Sequence, residues 1–557
     1  MNNSLIHLLR ISYRSFLAAF VFVVGSLVII CQYLWNPDPH HDGIMFTAAV
    51  GFNEGLRPNT DFFAQYGPLA PMLQGFGLQV FGTTLFGLRF FSAALLIFTG
   101  AMFSIRAFQV YGLKFACLLW TCWSLTGPMG LPWSSVISTF SIVLVLFLSF
   151  GYRNQRFIFR PQVFLFVSQL LIIGSLIRIH LAVIVGFIGL TLIAKRSFLP
   201  KSFTVRWLLL SLANTLLLIF LLYKFEVLGA YFDQSFVWAI TRYSTPALTL
   251  TYLSGLIWFV IIPASVMILC ILLNRVSSFQ NKFKYPVLLV SSATLASLLI
   301  YANDYTNRDT ESLFDPRYFF IEFFRRFSLM LDYIPVTLLV LAIILPLVKR
   351  QKLIQRHNYS NLIALAIGLG ALFQLYPLFD PWHLWLICPI IITCLVLLPI
   401  EFRALATYSK SLAYISMVVI LALGVNFIGE LKSQTYEFKS LILSGMTSSR
   451  EDARELDDTL LAFQEVSIES QSVRFLCTDG LYASATQKYL SQGPFFVDWG
   501  LDNSPLDSQT RLIFVCDYTR EAIGYYLNSG WDKFFILSSG HTNQKGESLF
   551  NALMKRG

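Results

Sequence analysis

The sequence predicts an α-helical polytopic membrane protein of about thirteen transmembrane helices, with a small α/β unit at its C-terminal end. Three observations carry this. Of 557 residues, 56% are hydrophobic and 13% charged, where a soluble domain carries roughly 25% charged residues. The mean hydropathy is +0.63. Finally, the apolar residues fall into repeated runs of the length that crosses a bilayer. A soluble enzyme, a disordered chain and a collagen-like fibre are all excluded on composition.

Taken in order, the candidate spans are 13–34, 86–105, 114–127, 133–151, 161–177, 179–194, 207–223, 251–273, 287–302, 333–348, 362–377, 384–400 and 412–429. A backbone in lipid has to satisfy its own hydrogen bonds, so each run reads as a helix. The first follows Arg10 and Arg14 and lacks a small-residue cleavage signal, so it reads as a retained span. With the N-terminus inside, the inner loops carry twenty basic residues, from Arg10 to Lys410, against one acid, Glu401. The positive-inside rule favours this orientation, with a cytoplasmic N-terminus in the inner membrane. An odd number of spans then puts the C-terminal end outside. The net charge of +10 is therefore directed at the inner leaflet, and it is not gathered on one face as nucleic-acid binding requires.

Two outer segments stand apart. Residues 35–85 are too long for a plain connector, and 44–55 and 69–81 have the spacing of short interfacial helices. Residues 430–557 have the pattern of a water-soluble unit, which divides the chain into 1–429 and 430–557. Within the tail, 450–466 reads as a helix. Val473–Thr478, Leu512–Cys516 and Lys533–Leu537 read as strands, and Leu481–Leu490, Arg520–Asn528 and Gly546–Lys555 as helices. Cys477 and Cys516 both end predicted strands, and paired or free states fit equally well.

The chemistry-bearing residues cluster outside. The loop NPDPHHDGIMF holds Asp38, His40, His41 and Asp42, followed by Glu54, Arg57, Asp61 and Tyr66. Asp42 stands at a turn before a helix-like run, where a carboxylate also suits the role of a plain cap. Asp380 and His383 form a D-x-x-H pair at the start of a span, on one helical face. Arg178 and His180 interrupt an apolar stretch. Ionisable groups at such depth face cavities or partners, and a loop Arg also snorkels to headgroups. Further outer cations include Arg89, Arg242 and Arg317. Arg grips phosphate through a bidentate fork, and a carboxylate can deprotonate a hydroxyl. His40, His41, Asp42, Asp380 and His383 are donors that suit a divalent metal, but their spacing enforces none. Neither a Walker phosphate loop nor a dinucleotide glycine fingerprint is present.

Three strings carry a resemblance. Gly55 to Leu69 reads G-x-x-P-x-x-D-F-x-x-Q-Y-G-P-L, Phe81 to Arg89 reads F-G-x-x-L-x-x-L-R, and Asp380 to Leu384 reads D-x-x-H-L. With a large outer loop after the first span, residues 1–429 resemble bacterial integral-membrane glycosyltransferases of the GT-C superfamily. The protein mannosyltransferase and aminoarabinose lipid A transferase group is the nearest in layout. The resemblance implies inverting transfer of a sugar from a polyprenyl-phosphate donor to a lipid, glycan or protein acceptor on the outer face. It implies Asp42 as base or electrostatic helper, with Asp61 or Glu54 as a second acid, Asp380 and His383 as the late pair, and His41 and Tyr66 in support. Many members carry Asp-Glu where this chain has Asp42-Gly43. For the donor phosphate it leaves Arg178 first, then Arg242 and Arg317. A transporter or flippase of a lipid-linked or polar solute is the competing expectation. Such proteins often show duplicated halves, and no duplication is evident here.

Overall fold

The structure is a computed structural model. It describes residues 3–125, 131–153, 156–194, 201–237, 359–375, 381–397, 436–448, 452–465, 473–476, 481–482, 512–543 and 546–556. The expected spans 251–273, 287–302, 333–348 and 412–429 lie outside the described residues.

The chain enters through α1 (Asn3–Tyr33) and turns into two short helices, α2 (His41–Asn53) and α3 (Leu69–Phe81). These take the places of the two expected interfacial segments. They pack closely because Gly75 has no side chain; a Cβ there would lie 2.7 Å from the Phe52 ring. Next comes α4 (Leu85–Tyr111), whose first turn is capped by Thr84 Oγ1 accepting the Gly87 N–H at 3.3 Å. With 27 residues it is about 40 Å long, enough to cross a bilayer. The membrane-side elements continue with α5 (Leu113–Leu125), α6 (Ser134–Ser149), a hairpin of β1 (Phe150–Arg153) and β2 (Arg156–Phe159), α7 (Pro161–Val167), α8 (Gln169–Gly174), α9 (His180–Ala194) and α10 (Lys201–Lys224). Short α11 (Leu228–Phe232) follows, then α12 (Tyr359–Ala371) and α13 (Pro381–Leu397).

The expected span 161–177 is broken rather than continuous. It interrupts at Ser168, whose hydroxyl accepts the indole N–H of Trp207 at 2.9 Å. Among the described residues, 85–109 and 201–224 are long and apolar enough to span a membrane, alongside several shorter apolar helices. On α10, Leu209, Leu212, Leu216 and Phe220 are all more than half exposed. A row of this size finds its solvent in lipid tails.

The tail begins with the short pair β3 (Tyr436–Glu437) and β4 (Thr447–Ser448), then α14 (Ala453–Glu465). Buried Asp457 of α14 ties this start down, accepting from Tyr436 Oη and the N–H groups of Lys439 and Ser440, each at 2.9 Å. A four-stranded sheet follows, built from β5 (Val473–Leu476), β6 (Leu512–Thr519), β7 (Trp531–Thr542) and β8 (Ser548–Arg556) in the order β5-β6-β8-β7, with α15 (Arg520–Asn528) beside it. Only β5 and β6 run parallel. The expected helix over 546–555 is corrected to strand β8. Its run Asn551–Met554 is buried throughout, because Leu553 packs into one core cluster and Ala552 and Met554 into another, while β6 and β7 pair its two edges. A fully buried strand lacks the alternation that separates strand from helix in a sequence. Cys516 is disulfide-bonded. The register Leu476↔Val515 immediately precedes it in the parallel pair, while Cys477 lies outside the described residues.

The tail and the outer loop share one core. Met45, Phe46, Leu78, Leu85 and Leu88 pack in the same cluster as Leu443, Met446, Leu456, Leu460 and Phe514. Backbone bonds join them too. Thr447 donates to Leu34 O at 3.2 Å and accepts from Asn36 N–H at 2.9 Å. The Leu481 N–H reaches Pro39 O at 3.1 Å, and Ser448 Oγ donates to Asn36 Oδ1 at 2.8 Å.

Candidate active site

The turn between α1 and α2 is shaped by one buried cation. Arg89, in the second turn of α4, is fully buried. Its Nη1 donates to Tyr33 O at 3.1 Å and Trp35 O at 2.8 Å, and its Nη2 to Asn36 O at 3.1 Å. Its Nε donates to Asp42 Oδ1 at 3.0 Å, and Nη2 pairs with Asp42 Oδ2. Asp42 is also fully buried, and Oδ2 accepts the Asp38 N–H at 2.6 Å as well. Burial pushes the Asp42 carboxyl upward, and the Arg89 guanidinium beside it opposes that. Asp42 thus sits in the first turn of α2 but caps nothing there; its oxygens face Arg89 and the preceding turn.

The same turn presents a second carboxylate with more exposure. Asp38 Oδ1 accepts from the N–H groups of His40 at 2.9 Å and His41 at 2.8 Å, and Oδ2 lies 3.1 Å from His41 Nδ1. Burial works against its charge, but the His41 ring and backbone N–H prevail and hold the carboxyl well below its usual range. The His41 ring meets His40 edge-on at 4.8 Å and lies 5.5 Å from Trp133.

Trp133 leads into α6, and two residues on, Ser135 accepts a hydrogen bond from Arg178 Nη1. The Arg178 guanidinium lies 4.8 Å from the centre of the Tyr66 ring. Tyr66 is set by Gly67, where φ is +121° and an added Cβ would stand 2.3 Å from Leu176 O. Leu69 N–H bonds that same oxygen at 3.1 Å. The Q-Y-G-P-L string therefore docks against the linker that delivers Arg178, since only glycine tolerates both that backbone and that approach. Segment 133–135 thus lies between the Asp38–His41 pair on one side and the Arg178–Tyr66 pair on the other.

The other expected residues fall elsewhere. Asp61 accepts from Arg57, with Nη2 to Oδ1 at 3.3 Å, on an exposed turn. This pair lowers the Asp61 carboxyl. Glu54 is exposed just past the end of α2. Asp380, Arg242 and Arg317 lie outside the described residues. His383 is the third residue of α13. Thr139 Oγ1 of α6 bonds Leu386 O of α13 at 2.9 Å, so the two helices touch about one turn from Ser135 and from His383. Among the described residues no three His, Cys, Asp or Glu side chains gather as metal ligands. The roles of Arg89 and Asp38 go unrecognised in the sequence reading. Arg89 stands in a quoted motif, and the D-x-x-H spacing of Asp38 and His41 is itself a signal of pairing.

No protein-family model and no curated protein matches the chain. Among solved structures it is similar to ArnT from Cupriavidus metallidurans bound to undecaprenyl phosphate, at 11% identity over 97% of both chains, with a TM-score of 0.42. It is also similar to the Archaeoglobus fulgidus oligosaccharyltransferase tethered with an acceptor peptide, at 10% identity over 96% of this chain and 74% of that one, with a TM-score of 0.44.

Proposed function

We propose that this protein is a membrane glycosyltransferase that moves a sugar from a polyprenyl-phosphate donor to an envelope lipid, glycan or protein on the outer face. The observation that carries the reading is the grouping of Arg178, Tyr66 and Ser135 with the Asp38–His41 turn, reached from apolar helices. Arg178 offers its fork to the donor phosphate, and the Tyr66 face holds the guanidinium plane. As the anomeric C–O bond breaks, charge grows on the phosphate, and a fixed cation there is the largest contribution expected of the protein. The acceptor hydroxyl attacks the opposite face of the sugar and gives its proton to a base on the outer loop. His383, Asp380, Arg242 and Arg317 join this proposal by sequence alone. Asp42 acts through Arg89, holding the turn that carries Asp38 and His41.

In this reading residues 1–429 form the membrane unit with about thirteen spans. Residues 430–557 form an outer α/β unit, and the N-terminus is cytoplasmic. The disulfide at Cys516 supports an oxidising compartment for the tail. The test uses purified protein in lipid nanodiscs, a panel of radiolabelled polyprenyl-phosphate sugars, and host membrane extract as the source of acceptor. Transfer of one label, lost in Arg178→Ala with a raised donor KM, is the expected result. Donor uptake without any covalent product would point to transport instead.

A further inference from the structure

We infer that the C-terminal end of α4 carries a site for the headgroup phosphate of an anionic phospholipid, built from Arg160 and Arg106. The site is separate from the Arg178 group and does not rest on the transferase reading, because binding alone tests it. It begins in the sequence. Residues 62–225 contain no Asp or Glu, so a cation there has no carboxylate within its own stretch of chain. Arg106 lies about 25 Å along α4 from Arg89, near the opposite end of that helix.

Both arginines converge on the C-terminal end of α6 and the hairpin that follows it. Arg106 is 5% exposed. Its Nη2 donates to Phe147 O and Phe150 O, and its Nη1 to Gln109 Oε1 at 2.8 Å. The guanidinium lies 4.3 Å from the centre of the Phe147 ring. These contacts occupy carbonyl groups at a helix end, and alone they would make Arg106 a structural tie. They leave its Nε buried with no partner, and among the described residues no carboxylate answers its charge. A buried charge is stable when it is paired. Arg160 follows the hairpin, and its N–H donates to Ser149 O at 2.9 Å. Its guanidinium lies over Gly151, where a Cβ would stand 2.5 Å from Nε and 2.6 Å from Nη2. Arg160 is exposed, and among the described residues its guanidinium meets no hydrogen-bond acceptor. Its fork is therefore available to an anion from outside the chain.

The surroundings choose the source of that anion. Ile105 and Phe108 stand beside Arg106 in α4, and Leu148 beside Phe147; all three are exposed apolar side chains. Ile158 is 46% exposed and pairs with Gly151 in the hairpin register, so it shares the face on which Arg160 lies. A free anion leaves this apolar surface bare, whereas the acyl chains of a lipid cover it. Basic groups between membrane helices bind anionic headgroups in this way.

The experiment titrates the full-length protein in detergent with phosphatidylglycerol or phosphatidylcholine of the same acyl chains, and counts bound lipid by native mass spectrometry. Wild type is expected to hold phosphatidylglycerol the more tightly. Arg160→Gln is expected to weaken that binding about fivefold at an unchanged unfolding temperature, and Arg160→Lys to weaken it less. Arg206→Gln, which removes an exposed cation of α10, is expected to leave it as in wild type. Equal retention of the two lipids overturns the inference, and so does an Arg160→Gln protein that binds like wild type. An Arg206→Gln protein that loses as much as Arg160→Gln shows diffuse attraction to charge and overturns it too. Inorganic phosphate at the same concentration is expected to leave the lipid in place; displacement would make this a free-anion site and end the lipid assignment.

Discussion

Arg89 spends all of its donor directions on the chain that surrounds it. Three of its partners are main-chain oxygens: that of Tyr33, which helix geometry leaves without a partner at the end of α1, and those of Trp35 and Asn36 in the turn beyond it. Removing the guanidinium strands those carbonyls and leaves the Asp42 carboxylate buried and unpaired. Arg89→Met is therefore expected to cost about 3–5 kcal/mol, read as a lower unfolding temperature in detergent. Arg89→Lys should recover little, because a point charge cannot reproduce the fork. Asp38 carries a pH dependence whose sign follows from its lowered carboxyl. A group held below its unfolded value of about 3.9 contributes stability above that value and loses it as the pH falls through it toward the folded value. Asp38→Asn should thus unfold at lower temperature than wild type at pH 7, and the difference should shrink below about pH 4. Thermal scans across pH check this.

The elements show where local pattern suffices and where it fails. Most described helices begin and end within a few residues of their apolar runs, because length and hydropathy alone decide them. The break at Ser168 escapes that reading, and its contact with Trp207 of another helix is out of reach of local pattern. The misread β8 fails for a related reason, as its neighbours on both sides come from far along the chain. At the site, Asp42 stands out in sequence by its position, but its role is decided by Arg89, 47 residues later. The Gly67 turn yields a direct test. Gly67→Ala has to move the backbone away from Leu176, so it should displace Tyr66 from Arg178 and raise the donor KM more than it lowers stability. Kinetics and thermal unfolding on one preparation check both halves. The seam between Asn36 and Ser448 is smaller. Ser448→Ala removes one hydrogen bond, worth about 1 kcal/mol, and is expected to speed limited proteolysis of the tail.

At the scale of the whole molecule, the charge distribution and the disulfide speak for the same sidedness. The loops expected inside concentrate Lys and Arg, while the tail carries the disulfide-bonded Cys516. The free cysteines among the described residues, Cys31, Cys117 and Cys394, sit on membrane-side helices. A single cysteine placed at Lys439 should react with a membrane-impermeant maleimide in intact spheroplasts, and one placed at Lys195 should react only after lysis. The reverse pattern would invert the topology. The expected sidedness is read from composition, which needs no partner.

The seam at residues 34–39 also sets a timetable. The first outer loop leaves the ribosome early, but the residues that brace it, Thr447, Ser448 and Leu481, are synthesised only after the last span. Until they arrive, the turn bearing Asp38 and His41 lacks one wall. A chain truncated before Thr447 is therefore expected to leave residues 34–39 more open to limited proteolysis than the full-length chain.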